Sequence, residues 1–455
     1  MDAARIQAGL EWQMRRKQVS SAGPRLEAAP GDTSAASRRR PGRQPRDSPG
    51  GEGAGQLRDR PGPRGRRRRR GATVNTVKPL VLFAAGESDA DFLYATRMSV
   101  GEALYVRFAE GDDLLVVPTL ELERARRQAT PGCVIDRREA GWQEQRDTTA
   151  AWADAAVKVL GDRAAGGVRV SPRLPAGLYL ALRARGLDVE LDPELFLAER
   201  RRKSAEEASF IRAAQEAAQV ACVEVISNLA AARIGEDGLL WLADSPLTSE
   251  RLMARAQAAL QEIGYGAAEL IVAGSPECAL PHFRGEGPIR AHGPVIIDIF
   301  PRGASSHYHG DLTRTVVVGY VDERVRKMHE AAVAALRTGC GALRAGANGR
   351  DVHHAVCRVL VEHGFGTTTA GFEGNAEGPR MNHSTGHGVG LEVHEVPQLR
   401  DLDYPLLAGD VVTVEPGLYQ TGLGGVRVEN AGMVTEDGFD DFTTLPLSLD
   451  PADYL

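Results

Sequence analysis

Residues 295–318 read VIIDIFPRGASSHYHGDLTRTVVV, two apolar runs separated by a stretch rich in Gly, Ser and His. Asp298 and Asp311 stand at the ends of these runs, thirteen positions apart. A strand from Gly293-Pro294 through Phe300 is predicted to pair antiparallel with a strand over Asp311–Gly319, across a long turn. Alone the pattern is weak, because aspartate at a strand end is usually a turn or cap residue.

Three further stretches repeat the arrangement of an ionisable residue in or beside an apolar or Gly-rich run. They are His387 in HSTGHGVG (383–390), Glu415 in VVTVEPG (411–417) and Glu429 in GGVRVENAG (424–432). Buried charges need a partner or a metal. Four carboxylates and one imidazole therefore indicate a pair of divalent cations, and an enzyme that activates water between two metals.

The bulk composition excludes several classes of protein. A length of 455 residues predicts more than one domain. The chain contains no run of eighteen apolar residues, so no membrane span is predicted. The five cysteines form no CxxC pair and no metal spacing, so reduced thiols and a cytoplasmic location are expected.

Charge is distributed unevenly along the chain. Residues 1–72 hold 18 Lys and Arg against 7 Asp and Glu, and the net charge of the whole chain is −6. Residues 1–76 are predicted to be a disordered basic tail, because they have almost no apolar periodicity. The tail is interpreted as a start assigned too early, a targeting segment or an arm for an anionic surface. The acidic remainder argues against nucleic acid as the partner of the folded body.

Residues 77–194 are predicted to form a smaller α/β domain, in which short apolar strands alternate with helices. The strands are PLVLFAA, ALYVRF, DLLVVP, GVRVS and DVELD, and the helices are Leu120–Gln128, Thr149–Leu160 and Pro175–Arg185. None of these strands carries paired carboxylates or a phosphate-binding loop. The domain is therefore interpreted as a cap or assembly domain.

Residues 195–455 are predicted to form an α+β domain that carries the chemistry. It opens with one charged helical segment from Leu195 to Ala231, in which Arg200–Lys203 is interpreted as a solvated helix face. Further helices are predicted at Ser249–Ile263, Asp322–Arg344 and Arg350–His363, with a strand at Glu269–Ala273.

The order Asp-x12-Asp, HxxxH, VEPG and RVEN resembles the C-terminal domain of the M24 metallopeptidases, over about residues 198–440. The N-terminal domain resembles the cap of the prolidase, aminopeptidase P and creatinase branch. The resemblance implies a pita-bread fold, with two pseudo-symmetric halves around a curved sheet. It also implies a homodimer.

The same resemblance implies roles for the five ionisable residues. Asp298 would bind one of two divalent metal ions, Asp311 and Glu429 would bridge both, and His387 and Glu415 would complete the second site. One nitrogen among many oxygens favours Mn, with Co, Fe or Zn as alternatives.

Further roles follow from the same family. Glu415 matches the proton shuttle for a water that attacks the scissile carbonyl. His394 matches the histidine on the substrate carbonyl side, His282 the one on the leaving-group side, and His383 lines the pocket. Arg427 is predicted to orient Glu429 or to meet a substrate carboxylate.

The expected substrates are small peptides with proline at the second position. Xaa-Pro dipeptidase and Xaa-Pro aminopeptidase both remain open, as do an aminopeptidase of other specificity and a non-catalytic peptide-binding relative. The turn between the two aspartates is about two residues longer than the family usually has, so substrate preference is expected to differ there. His307 and His309 in this turn are interpreted as loop residues rather than ligands.

Overall fold

A computed structural model describes residues 77–84 and 89–455. The helices are α1 Ala90–Thr96, α2 Leu122–Gln128, α3 Thr148–Leu160, α4 Ala176–Ala184, α5 Leu197–Arg201, α6 Ala205–Ala230, α7 Ser249–Glu262, α8 Glu323–Ala342 and α9 Gly349–Glu362. The basic tail predicted for residues 1–76 lies outside the described residues.

The strands follow in chain order. They are β1 Leu80–Ala84, β2 Ala103–Arg107, β3 Asp113–Val117, β4 Val134–Asp136, β5 Val168–Val170, β6 Val189–Leu191, β7 Arg233–Ile234, β8 Leu240–Leu242, β9 Ser245–Pro246, β10 Tyr265–Gly266, β11 Ile271–Gly274, β12 Pro294–Ile299, β13 Arg302–Gly303, β14 Leu312–Val317, β15 Gly366–Thr367, β16 Arg380–Met381, β17 Gly386–Gly388, β18 Glu395–Leu399, β19 Val411–Val414, β20 Gly417–Gln420, β21 Gly424–Arg427, β22 Asn430–Val434 and β23 Phe439–Asp441.

The N-terminal part is a six-stranded mixed sheet in the order β4-β3-β2-β1-β5-β6. Alternate residues of each strand enter two different cores, as the period of a strand requires. Val81 and Leu104 pack with Trp152 on one face, whereas Leu82 and Tyr105 pack with Phe92 on the other. All five predicted strands are present in this sheet.

Two elements of this part were missed by the sequence analysis. Helix α1 has only seven residues, but Asp89 caps it by accepting a hydrogen bond from the backbone N–H of Phe92 at 2.8 Å. Strand β4 has only three residues. Both are too short for periodicity to reveal, although the Asp89 cap was a readable signal.

The predicted single helical segment Leu195–Ala231 is wrong, because the chain breaks between α5 and α6. Ser204 and Glu207 form a capping box at the break. The side chain of Ser204 accepts from the N–H of Glu207 at 3.2 Å, and Glu207 Oε2 accepts from the N–H of Ser204 at 2.8 Å. A capping box marks the start of a helix, so α5 and α6 are two separate helices.

The interpretation of Arg200–Lys203 as a solvated helix face is wrong for three of the four residues, and only Arg202 is exposed. The side chain of Arg200 is 10% exposed and that of Lys203 is 1% exposed. Arg201 forms a two-pronged ion pair with the fully buried Asp410, with both N···O distances at 2.7 Å. These cations are buried because they pair with buried carboxylates from distant parts of the chain. The local sequence of the run could not reveal those partners.

The C-terminal part builds two cores, each covered by a pair of helices. Helices α6 and α7 pack over β11, β12 and β14. Helices α8 and α9 pack over β19 and β21. The sheets that carry the site have the orders β11-β12-β14, β15-β16-β20-β21 and β18-β17-β19-β22-β23.

The two halves of this part meet along β14. The backbone N–H of Glu429 donates to the carbonyl of Thr313 at 3.0 Å. The hydroxyl of Thr315 donates to the carbonyl of Arg427 at 2.8 Å. The ends of strands from both halves therefore reach one place.

The division predicted at residues 194 and 195 stays a prediction, because residues on both sides belong to one compact unit. Among the described residues, no helix combines the length and apolarity that crossing a membrane requires.

Replacing Arg201 by Met is expected to lower the free energy of unfolding by roughly 3 kcal/mol, because it leaves the buried Asp410 without its cation. The exposed neighbour Arg202 provides the control, and Arg202→Met is expected to change it by less than about 0.5 kcal/mol. Denaturation by urea measures both. Equal effects of the two substitutions would contradict the burial argument.

Candidate metal centre

Strands β12 and β14 place the two aspartates. They pair antiparallel with Asp298 opposite Thr313 and Ile299 opposite Leu312. Asp311 immediately precedes β14, so it lies beside the end of β12 that carries Asp298. The predicted strand pair and the turn between its strands are thus observed.

The backbone of Asp311 is fixed by one side chain from α6. Gln215 donates from Nε2 to the carbonyl of Asp311 at 2.7 Å, and Gln215 Oε1 accepts from the N–H of Asp311 at 2.7 Å. Gln215 is fully buried. This pair of hydrogen bonds sets the position of Asp311 at the point where the turn enters the strand.

His387 lies on β17 between two glycines that close packing requires. A Cβ atom on Gly386 would lie 2.0 Å from the carbonyl oxygen of Thr413, and one on Gly388 would lie 2.3 Å from that of Val396. No side chain fits either place, so strands β18 and β19 approach β17 closely only because these positions are glycine.

The imidazole of His387 presents a lone pair to the carboxylates. Its Nδ1 donates to the carbonyl of Gly388 at 3.1 Å, so in the neutral ring Nε2 is the acceptor. Burial lowers the pKa of His387 to about 3, which keeps the ring neutral. A neutral imidazole whose other nitrogen is anchored to a carbonyl has the state and orientation of a metal ligand.

The carboxylates converge on this nitrogen. His387 Nε2 lies 3.7 Å from Asp311 Oδ2 and 3.6 Å from Glu415 Oε1. Asp311, His387 and Glu429 each offer one ligand atom, and these atoms lie within 4.8 Å of one another.

Arg427 joins the remaining aspartate to the group. Its Nη2 donates to Asp298 Oδ2 at 2.5 Å. Its link to Glu429 is indirect, because Nε donates to the hydroxyl of Thr313 at 3.3 Å, and this hydroxyl donates to Glu429 Oε2 at 2.7 Å. Arg427 is 3% exposed. Its direct ion pair with Asp298 was not foreseen from the sequence.

Tyr419, which the sequence analysis did not single out, links Arg427 to His383. Arg427 Nη1 donates to the Tyr419 hydroxyl at 2.9 Å. His383 Nδ1 lies 2.8 Å from the carbonyl of Ser384 and must donate to it, so Nε2 accepts from the Tyr419 hydroxyl at 3.0 Å. The only signal in the sequence was the place of Tyr419 four residues after Glu415.

The electrostatics of the group are those of excess negative charge. Burial raises the pKa of Glu415 to about 8, with the charge of Asp298 adding to the rise. Burial and the neighbouring carboxylates also raise the pKa of Asp311 and of Glu429 well above their ordinary ranges. Arg427 is the cation that pairs directly with one of these carboxylates, and one such ion pair does not balance four carboxylates.

Two observations show that the five ionisable residues fit divalent metal ions: an unpartnered oxygen and the chemistry of the side chains. Asp298 Oδ1 is buried and has no hydrogen-bond partner among the described residues, although a buried carboxylate oxygen without compensation is costly. The donor set is four carboxylates and one neutral imidazole, which suits Mn, Fe, Co or Zn better than a thiolate site would.

Two exposed histidines lie beside the group. The rings of His387 and His394 have centroids 4.2 Å apart. Partial shielding from water lowers the pKa of His394, and the charge of the nearby His282 lowers it further. His282 and His394 are both exposed to solvent.

The lengthened turn packs against its surroundings rather than hanging free. Strand β13 within it pairs with β10, and the hydroxyl of Tyr308 donates to Glu207 Oε1 at 2.6 Å. The backbone N–H of His309 donates to the carbonyl of Gly390 at 2.8 Å. His307 and His309 do not belong to the group of Asp311, His387 and Glu429.

With this geometry in place, comparison with known proteins assigns the class. The model of metallopeptidase family M24 matches residues 209–436, half of the chain, and the chain belongs to this family. The prolidase of Pyrococcus horikoshii OT3 superposes with a TM-score of 0.68 at 23% identity, covering 82% of this chain and 96% of that one. The fold is therefore the pita-bread α+β fold expected from the sequence.

Among relatives of known sequence, the chain is 35% identical over 173 residues to an Xaa-Pro dipeptidase of Pyrococcus furiosus. It is 34% identical over 231 residues to Xaa-Pro aminopeptidase 1 of Streptomyces coelicolor. These matches cover 37% and 45% of this chain, and 45% and 46% of the respective relatives. The chain thus spans less than half of the length of either relative.

Gln215 offers a test of how Asp311 is held. Gln215→Leu removes both hydrogen bonds to the backbone of Asp311, so manganese is expected to bind on the order of 10-fold more weakly, as for other changes behind a ligand. Gln219→Leu is the matched control, because Gln219 lies one turn further along α6 and bonds to Phe442 and Thr444 instead. Calorimetric titration of both variants decides, and equal affinities would contradict the role of Gln215.

Proposed function

We propose that this chain is a metal-dependent peptidase that hydrolyses the Xaa-Pro bond of dipeptides or at peptide N-termini. The observation that carries the proposal is that Asp311, Glu415 and Glu429 lie around the neutral imidazole of His387, close enough to Asp298 to feel its charge. One oxygen of Asp298 has no hydrogen-bond partner among the described residues. The names of the matched relatives, an Xaa-Pro dipeptidase and an Xaa-Pro aminopeptidase, support the choice of bond. An aminopeptidase of other specificity is the alternative.

The proposed metal ligands are the five residues of the centre. They are Asp298, Asp311, His387, Glu415 and Glu429, which would hold two divalent ions, with manganese the first choice before cobalt, iron or zinc. A divalent ion among such ligands lowers the pKa of water and polarises a carbonyl group. The pairing of Arg427 with Asp298 would fix that carboxylate before any ion binds.

Glu415 is proposed to move the proton. Its side chain is 17% exposed, against 12% for Asp298 and 6% for Asp311. It is therefore the more accessible carboxyl, and it can take a proton from the attacking water and deliver it to the leaving nitrogen. The leaving group at an Xaa-Pro bond is the proline nitrogen, which has no proton of its own in the peptide.

The histidines are proposed to bind the substrate. His394 would donate a hydrogen bond on the carbonyl side, where negative charge develops, and His282 would contact the leaving-group side. His383, held by Ser384 and Tyr419 on its two nitrogens, would form a fixed wall of the pocket. Arg427 is nearly buried and paired with Asp298, which favours an orienting role over contact with a substrate carboxylate.

A homodimer and a cytoplasmic location belong to the same proposal. Large apolar side chains are exposed in the N-terminal part, with Leu120 at 91% and Leu180 at 64%, and their burial against a second copy would be favourable. The five cysteines are all free, as expected in a reducing compartment. Light scattering of the purified protein measures the subunit number.

The full-length protein with manganese is expected to release proline from Ala-Pro, or the first residue from Ala-Pro-Ala, while leaving Ala-Ala-Ala intact. Cleavage of the dipeptide alone identifies a dipeptidase, and cleavage of the longer peptide identifies an aminopeptidase. Chromatography of the products reports all three reactions.

The matched control is Asp311→Ala, which removes a proposed ligand and should reduce turnover by at least about 100-fold. It also guards against a contaminating peptidase, whose activity would survive the substitution. If the metal-loaded protein cleaves no Xaa-Pro peptide of two to five residues, the proposed specificity is refuted.

A further inference from the structure

A balanced ion network joins the N-terminal domain predicted from the sequence (residues 77–194), the linker, defined as residues 195–203, and the turn that carries His394. This turn, defined as residues 390–395, connects β17 to β18. The network consists of three cations and three anions: Arg173, Arg200, Lys203, Asp91, Glu392 and Glu395. Its members come from three separate parts of the chain, and two of them flank His394.

Glu395 holds the turn closed. Its Oε1 accepts from the backbone N–H of Glu392 at 3.0 Å, and the N–H of Gly390 donates to the carbonyl of Glu392 at 3.0 Å. A Cβ atom on Gly390 would lie 2.7 Å from Glu395 Oε2. The carboxylate therefore rests directly on the backbone of the turn, in space that only glycine leaves open.

The linker supplies the charges that keep Glu395 in this place. Lys203 Nζ lies 3.1 Å from Glu395 Oε2, and Arg200 Nη2 donates to Glu395 Oε1. The side chain of Glu395 is 5% exposed and that of Lys203 is 1% exposed. These two cations lie in the stretch that the sequence suggested would face solvent.

The N-terminal domain holds the other end of the network. Arg200 Nη1 donates to Asp91 on α1 at 2.7 Å, while Arg200 Nη2 also contacts Glu392 at 2.7 Å. Arg173, which follows β5, donates to the other oxygen of Glu392 at 2.6 Å. Glu392 is thus held from two elements of the N-terminal domain, directly by Arg173 and through Arg200 by Asp91.

We propose that this network is a positioning device, through which the N-terminal domain sets the place of His394. Buried, mutually bonded charges have one well-defined arrangement, and His394 lies between two of the residues that they hold. The six residues of the network are positioning residues: they would act through His394, and none of them belongs to the metal-ligand group. The inference rests on the proposed function in taking His394 as a group that contacts the substrate.

The test uses a variant that removes the charges supplied by the N-terminal domain and keeps the buried ion pairs of Glu395. In the double variant Asp91→Asn, Arg173→Met, Lys203 and Arg200 still neutralise Glu395. The matched control is Arg97→Met, Glu206→Gln, which removes another ion pair between α1's C-cap and α6, with an N···O distance of 3.4 Å. Neither residue of the control pair belongs to the six-residue network, and their ion pair is with each other.

Two measurements are made on the full-length protein. The ring signal of His394 is recorded by NMR with labelled histidine in the presence of zinc, a diamagnetic ion, and is assigned with His394→Gln. Turnover of Ala-Pro-containing peptides is measured with manganese. The double variant is expected to shift or broaden the His394 signal and to lower kcat on the order of 10-fold with KM within about twofold, because a small misplacement acts mainly on the transition state.

A second variant, Glu392→Gln, reaches the same contacts from the turn itself. It should reproduce the loss, and combining it with the double variant should add nothing, because both changes break one path. A purely structural role would instead give additive losses of stability and leave kcat at the control's value.

The proposal is overturned if the double variant matches the control in both its His394 signal and its kcat. It is also overturned if the enzyme is active and the kcat of the double variant equals that of the control. The NMR measurement separates this failure from failure of the proposed function. If the wild-type protein cleaves no Xaa-Pro peptide but the His394 signal still moves in the double variant only, the positioning device stands and the function does not.

Discussion

The constraint on which the rest of this structure depends is the burial of like charges at one place. Asp298, Asp311, Glu415 and Glu429 meet where strands of both halves end, and among the described residues Arg427 is the cation that pairs directly with one of these side chains. Such an arrangement is unfavourable in a protein without added cations. The clustering of these carboxylates explains why many of the surrounding contacts fix individual atoms of the site in place.

The supporting contacts follow a common plan. Two of the ionisable groups are held through an atom that does not face the centre: Asp311 through its backbone by Gln215, and His387 through Nδ1 by a carbonyl. The lone pairs that remain therefore point toward one another. This plan preorganises the site for cations and limits the rearrangement that binding would require.

Much of the site was readable from the sequence, because a carboxylate at the end of an apolar strand is anomalous wherever it occurs. The apolar runs of β12 and β14 carried enough information to pair the two strands, and the glycines around His387 indicated close backbone approach. The fate of Arg200 and Lys203 was not readable, since their partners lie about two hundred residues away. Gln215 escaped for a similar reason, as nothing local distinguishes a glutamine that bonds a backbone 96 positions away from one that faces water.

The central claim is that the buried carboxylates exist to hold two divalent cations. Anomalous diffraction at the manganese edge, from crystals grown with manganese, tests it most directly. The account predicts two anomalous peaks surrounded by the side chains of Asp298, Asp311, His387, Glu415 and Glu429. A single peak, or none at this place, would contradict it.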